Sequence, residues 1–115
     1  MNWILIAVFM VSFSTSFAFS ETRIPTGQGD KGSYFLMEKS QKNGITRALT
    51  RRTGPSGTRF SLREFNCARQ TFRYLSEGDT LSELKKRKLS NDRFVDLFEG
   101  SASWNVGQFV CKKQH

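Results

Sequence analysis

From Ser33 to Ser76 the order of apolar, polar and turn-forming residues reads as strands and tight turns. Tyr34-Phe35-Leu36-Met37 leads into Lys42-Asn43-Gly44, and Asn-Gly is the strongest short hairpin signal because both residues accept positive φ. Ile45 to Thr53 is the returning strand, and Gly54-Pro55-Ser56-Gly57 supplies a second turn. Thr58 to Asn66 forms a third strand. Phe60 and Leu62 alternate there before the apolar phase moves to Phe65 and Cys67, which predicts a bulge near Arg63-Glu64. Gln70 to Ser76 makes a fourth strand with Phe72 and Tyr74 on one face. Consecutive strands joined by short turns predict an antiparallel meander of about four or more strands.

After Glu77-Gly78 the period changes. Thr80-Leu81-Ser82-Glu83 has the spacing of a capping box, in which hydroxyl and carboxylate satisfy backbone donors at a helix start. Leu81, Leu84 and Leu89 would form its narrow apolar stripe. Lys85-Lys86-Arg87-Lys88 then falls late in the helix, where cations favour the dipole. Phe94, Leu97 and Phe98 predict a further helical turn closed by Gly100. Ser101 opens a last helix, with Ala102, Val106, Phe109 and Val110 at the i, i+4, i+7, i+8 spacing of a buried face. The expected interface between sheet and last helix is Phe72, Tyr74, Trp104, Val106, Phe109 and Val110.

The amino-terminal pattern is of another kind. Residues 1–20 carry no charged side chain, Ile4 to Val11 is an unbroken apolar run, and small residues follow. That is the layout of a secretory signal peptide, with a cut expected before Glu21 or after Ala18. The run is shorter than the roughly 20 residues that a transmembrane helix needs, so no membrane span is expected after cleavage. Residues 21–33 hold Pro25, three glycines and Ile24 as the lone aliphatic residue, which predicts a flexible arm. Gly27-Gln28-Gly29-Asp30-Lys31-Gly32 matches the dinucleotide fingerprint, but the strand and βαβ unit that give the fingerprint its meaning are missing. Residues 34–115 are left as one domain, and a periplasmic or secreted location follows from the leader.

Export decides how the two cysteines read. Cys67 and Cys111 are the whole complement, and an even number in an oxidising compartment favours a disulfide. The loop closed is about 45 residues, for which chain entropy gives roughly 4 kcal/mol of stabilisation. Two cysteines with the terminal His115 do not make a tetrahedral metal site, and no cofactor is expected.

Formal net charge is +8, from 18 Lys and Arg against 10 Asp and Glu, and the leader contributes none of it. Such a balance suits an anionic partner, and it also keeps a small domain soluble. Arg47, Arg59 and Arg73 on the strands and Lys85, Lys86, Arg87 and Lys88 on the helix are the candidate contacts. No aromatic-basic signature of base-reading modules interrupts the strands, so nucleic acid would be bound only through its charge. The sole histidine is the last residue, which leaves no ordered imidazole for acid–base or nucleophilic catalysis. Glu64, Glu77, Asp79, Asp92, Asp96 and Glu99 read as caps, turn residues or charge balance. The enzymatic alternative is a small basic nuclease built from Glu64 with Arg47, Arg59, Arg63 and Arg73.

Phe65-Asn66-Cys67-Ala68-Arg69-Gln70-Thr71-Phe72-Arg73-Tyr74-Leu75, followed late by Gly100-Ser101 and Phe109-Val110-Cys111-Lys112, resembles the surface-adhesin protein E family of Gram-negative bacteria. The resemblance covers roughly Tyr34 to Lys113. It implies a small exported domain whose antiparallel sheet is held to a helix by a disulfide, and it brings no catalytic motif. No cysteine stands at a lipid-attachment point near Ala18-Phe19-Ser20, so a soluble relative is implied. Together these readings predict a single α+β domain, a meander packed by a disulfide-pinned C-terminal helix. Its expected role is non-enzymatic binding of a protein or an anionic envelope or host component, with inhibition of a host or rival enzyme as an alternative.

Overall fold

The computed structural model describes residues 21–26 and 31–112. The leader, residues 27–30 of the glycine-rich fingerprint and His115 lie outside them. The described chain runs β1 (Thr22–Ile24), β2 (Ser33–Lys42), β3 (Ile45–Gly54), β4 (Gly57–Asn66), β5 (Thr71–Gly78), α1 (Leu81–Lys86), β6 (Val95–Asp96) and α2 (Ala102–Val110). The strands form one antiparallel sheet in sequence order. It is an α+β fold, a six-stranded meander with a C-terminal helix, and Cys67 is bonded to Cys111.

Turn chemistry sets the register. Asn43 and Gly44 adopt φ of 53° and 81°, so Lys42 pairs directly with Ile45 and the β2–β3 pairs as far as Glu38–Leu49 follow from that closure. Pro55 and Ser56 form the next tip, between the paired Gly54 and Gly57. Ser101 caps α2 by accepting from the Trp104 amide at 3.1 Å. Thr80 caps α1 by accepting from the Glu83 amide at 3.0 Å, while the Glu83 carboxylate reaches the Asp79 amide at 2.8 Å.

The two faces of the sheet have different cover. On one, α2 lies over Ile24, Tyr34, Ala48 and Phe65, and Val106 and Val110 complete a buried cluster. Gly107 lets the helix approach closely, since a Cβ there would stand 3.2 Å from the Phe65 ring and 3.1 Å from Leu97. The disulfide fastens the end of α2 to the turn after β4, with the two Cα atoms 5.5 Å apart. Phe72 stacks on Phe65 at 6.1 Å and meets Tyr74 edge-on at 5.4 Å. On the other face the six-residue α1 packs on β4 and β5. Leu49, Leu75 and Leu84 are buried there outside the main cluster.

Several expectations are corrected. The presumed arm contains β1, because Ile24 has apolar surface to bury and does so to 1% exposure beside Tyr34. The helical turn expected around Phe94 to Phe98 is extended chain. Val95 and Asp96 pair with Phe72 and Thr71, and Leu97 donates its amide to the Gln70 carbonyl, so backbone bonding to the sheet edge overrides the helical spacing. Helix α1 stops at Lys86, which leaves Leu89 exposed and off its stripe. The irregularity expected near Arg63-Glu64 falls between Leu62 and Arg63 in the β4–β5 ladder, but β4 itself pairs continuously with β3, so the extra residue is on the partner strand. The register shifts leave Leu75 of β5 and Met37 of β2 as the extra residues. Trp104 is only half-buried and lies apart from the main cluster, whose largest fully buried side chain is Phe65.

Candidate anion-binding face

The antiparallel register sets Ser40 beside Arg47, Arg47 beside Glu64 and Glu64 beside Arg73, a single row across β2 to β5. Side chains of one such row share a face. It is the α1 face, because the adjacent row holds Glu38 and Leu49, which line a cleft with Leu81 and Lys85 of α1. Arg47 donates Nε and Nη2 to one Glu64 oxygen, at 3.3 and 2.9 Å. Arg73 donates Nε and Nη2 to the other, at 3.0 and 2.9 Å. The second Arg73 Nη donates to the Asp92 carbonyl at 3.0 Å, and its guanidinium lies 4.6 Å from the Phe94 ring centre. Arg73 is thereby fully engaged, whereas Arg47 keeps Nη1 unbonded.

Burial by itself pushes the Glu64 carboxyl upward, since a charged group loses water there. Hydrogen bonds from Arg47 and Arg73, with their charges, outweigh it and hold the carboxyl below its ordinary value. Glu64 therefore stays ionised at neutral pH. Both its oxygens are occupied, so it serves as an anchor for two guanidinium groups rather than as a free base. Its side chain is 11% exposed, against 44% for Arg47. One carboxylate between two arginines leaves the row positive.

A cleft of about 420 Å³ opens over this row, also bounded by Lys42, Asn43, Ile45 and Phe94. Its rim is the Asn-Gly hairpin on one side and the chain between α1 and β6 on the other. Lys85 and Lys86 lie in the last turn of α1, with Arg87 as C-cap and Lys88 beyond it. Among the described residues none of these four, nor Lys42, has an ion-pair partner, and all five are exposed.

The other arginines fall elsewhere. Arg59 is held by Glu77 at 3.0 Å and Asp79 at 2.9 Å, and these bonds, the Glu77 one foremost, raise its pKa. Its side chain is on the opposite face from Glu64, because the two are separated by an odd number of positions on an unbulged strand. Arg63 is on that opposite face too, buried beneath α2. It donates to Ser103 Oγ at 3.0 Å, Thr50 Oγ1 at 3.0 Å and the Tyr74 hydroxyl at 3.1 Å. The five-residue constellation imagined for a nuclease is thus divided between two faces. Among the described residues, no three His, Cys, Asp or Glu side chains gather as metal ligands would.

Of the seven candidate cations, the fold brings Arg47 and Arg73 together, puts Lys85 to Lys88 by the same face, and removes Arg59. Ser40, Lys42, Asn43 and Phe94 were missed. Pairing Lys42 with Ile45 through the Asn-Gly turn would have put Ser40 opposite Arg47 from sequence alone. Phe94 carried no such signal, because it reaches the row through a long connection. Protein-family models, curated proteins and solved structures all give no match to the chain.

Proposed function

We propose that the chain is an exported, non-catalytic binding protein that receives an anionic envelope or host component on the α1 face. The observation that carries this reading is the division among its cations. Arg47, Arg59 and Arg73 are held by carboxylates. Lys42 and Lys85 to Lys88 are exposed and, among the described residues, without an ion-pair partner, as Lys31, Lys39, Arg69, Arg93 and Lys112 also are. What distinguishes Lys42 and Lys85 is that they line clefts on the α1 face. A structural cation is normally tied down, and a run of untied ones keeps its charge available to a partner. The engaged oxygens of Glu64 argue for binding over acid–base chemistry. The disulfide fits an oxidising compartment, and the charge-free leader supports periplasmic or secreted location. The resemblance to surface-adhesin protein E-like proteins favours recognition in the same way.

Heparin retention tests the reading. At about 50 mM salt the oxidised protein should bind, and affinity should fall steeply as salt rises because bound counterions are released. Charge reversal by Lys85→Glu, Lys86→Glu and Lys88→Glu should weaken binding and flatten its salt dependence. Absence of binding at about 50 mM salt, or binding that survives about 0.5 M, overturns the proposal.

A further inference from the structure

The cleft above the Arg47–Glu64–Arg73 row has features that a charged surface alone does not require. It is a concavity of about 420 Å³, within the range of small-ligand sites at about 300–1,000 Å³. Glu64 fixes Arg47 by two hydrogen bonds, so the guanidinium is held in place before any ligand arrives. Its Nη1 remains unbonded, and Lys42, which has no ion-pair partner among the described residues, lines the same cleft. Ser40 offers a hydroxyl and Asn43 an amide, both suited to hydroxyl groups. Phe94 supplies an aromatic wall.

We propose that this cleft binds the carboxylate and ring of a single sugar acid, either free or as a residue of an acidic glycan. This rests on the reading of the α1 face as anion-binding and names the chemistry of its centre. The supply of free donors selects the carboxylate. The cleft is net positive, but Arg73 is already engaged on three sides and has no donor to give, which leaves Arg47 Nη1 and Lys42. The unbonded Nη1 of Arg47 and the Lys42 ammonium group, one donor for each oxygen, suit one singly charged planar anion. A phosphate dianion would bring a second charge toward Glu64. Hydroxyls of the ring meet Ser40 and Asn43, and its C–H face lies against Phe94.

Titration of the oxidised protein with glucuronate, followed through the backbone amides of Asn43, Arg47 and Phe94, tests the proposal. Saturable shifts are expected with glucuronate and none with glucose. Arg47→Met should raise Kd at least about tenfold, the loss of one charge-assisted contact. Lys42→Ala, which breaks no bond within the protein, should raise it several-fold and keep the fold intact. Tighter binding of polygalacturonate per sugar identifies a glycan as the source, and equal binding identifies the free acid. Unmoved amides, equal shifts with glucose, tighter binding of glucose 6-phosphate, or an unchanged Kd in Lys42→Ala would each overturn it. Heparin retention without glucuronate binding rejects the sugar-acid site alone, whereas loss of heparin retention rejects the anion-binding face itself.

Discussion

Under α2 the sheet presents Ala48, Phe65 and Tyr34, and the buried cation Arg63 is held by three neutral hydroxyls. Under and beside α1 the same strands present Leu49, then Glu64 between two guanidinium groups, then an open cleft. The first face is closed by a nine-residue helix and a disulfide, and the second has a helix of six residues. Neighbouring residues on one strand serve opposite ends, as Ala48 and Leu49 or Arg63 and Glu64 do. The difference teaches how a thin sheet divides its labour. One face supplies the core, and the strands stiffened by it hold a charged row in register on the other.

The sharpest way to break this division is to cut into the α2 face. Phe65→Ala should cost about 3–5 kcal/mol, since its ring is fully buried and packs against Gly107 and Phe72. A denaturation midpoint close to that of the wild type would show that the core lies elsewhere. Next in size is the staple. Cys67→Ser should cost about 2–5 kcal/mol, near the roughly 4 kcal/mol expected from a closure of this length. Equal unfolding curves for oxidised and reduced protein would contradict it.

The α1 face should answer with smaller changes. Glu64→Gln leaves two guanidinium groups facing each other without their anion, at about 1–3 kcal/mol. The folded carboxyl titrates below its ordinary value of 4.5, so its contribution is present above that pH. It is lost as pH falls through the lower folded value, and Glu64→Gln should flatten that acid limb. Parallel stability–pH curves for the two proteins would refute the carboxylate's role. Smallest of all, Lys85→Glu, Lys86→Glu and Lys88→Glu should each move stability by no more than about 0.5 kcal/mol, because these exposed cations have no ion-pair partner. A larger loss on thermal unfolding would show that the cluster is structural.

Much of this division was legible in the residues. The turns Asn43-Gly44 and Gly54 to Gly57, the caps Thr80 and Ser101 and the cysteine pair are local chemistry, and each acts within a few positions or by elimination. The phase change from Phe60 and Leu62 to Phe65 was visible, and a register shift does fall between Leu62 and Arg63, but its extra residue is Leu75 of β5. The phase change marks the place where cover passes from α1 on one face to α2 on the other, which no local rule encodes. Strand β1 and the extended run through Val95 were hidden for a related reason. Both are edge elements that gain their structure from backbone pairing to a neighbour distant in sequence. At the candidate site, charge alone named Arg47, Arg59 and Arg73 together. Only register could separate the first and last, which share Glu64, from the second, which does not.

The division between a closed face and a receiving face is tested most directly by mapping where an anionic ligand touches the protein. Backbone amide shifts, recorded while a short heparin oligosaccharide is added at about 50 mM salt, read every position at once. Shifts are expected at Lys42, Asn43, Arg47, Arg73 and Lys85 to Lys88, with Tyr34, Ala48, Val106 and Val110 unmoved. Shifts centred on Arg59, on Trp104 or along α2, with the Arg47–Glu64–Arg73 row silent, would contradict it.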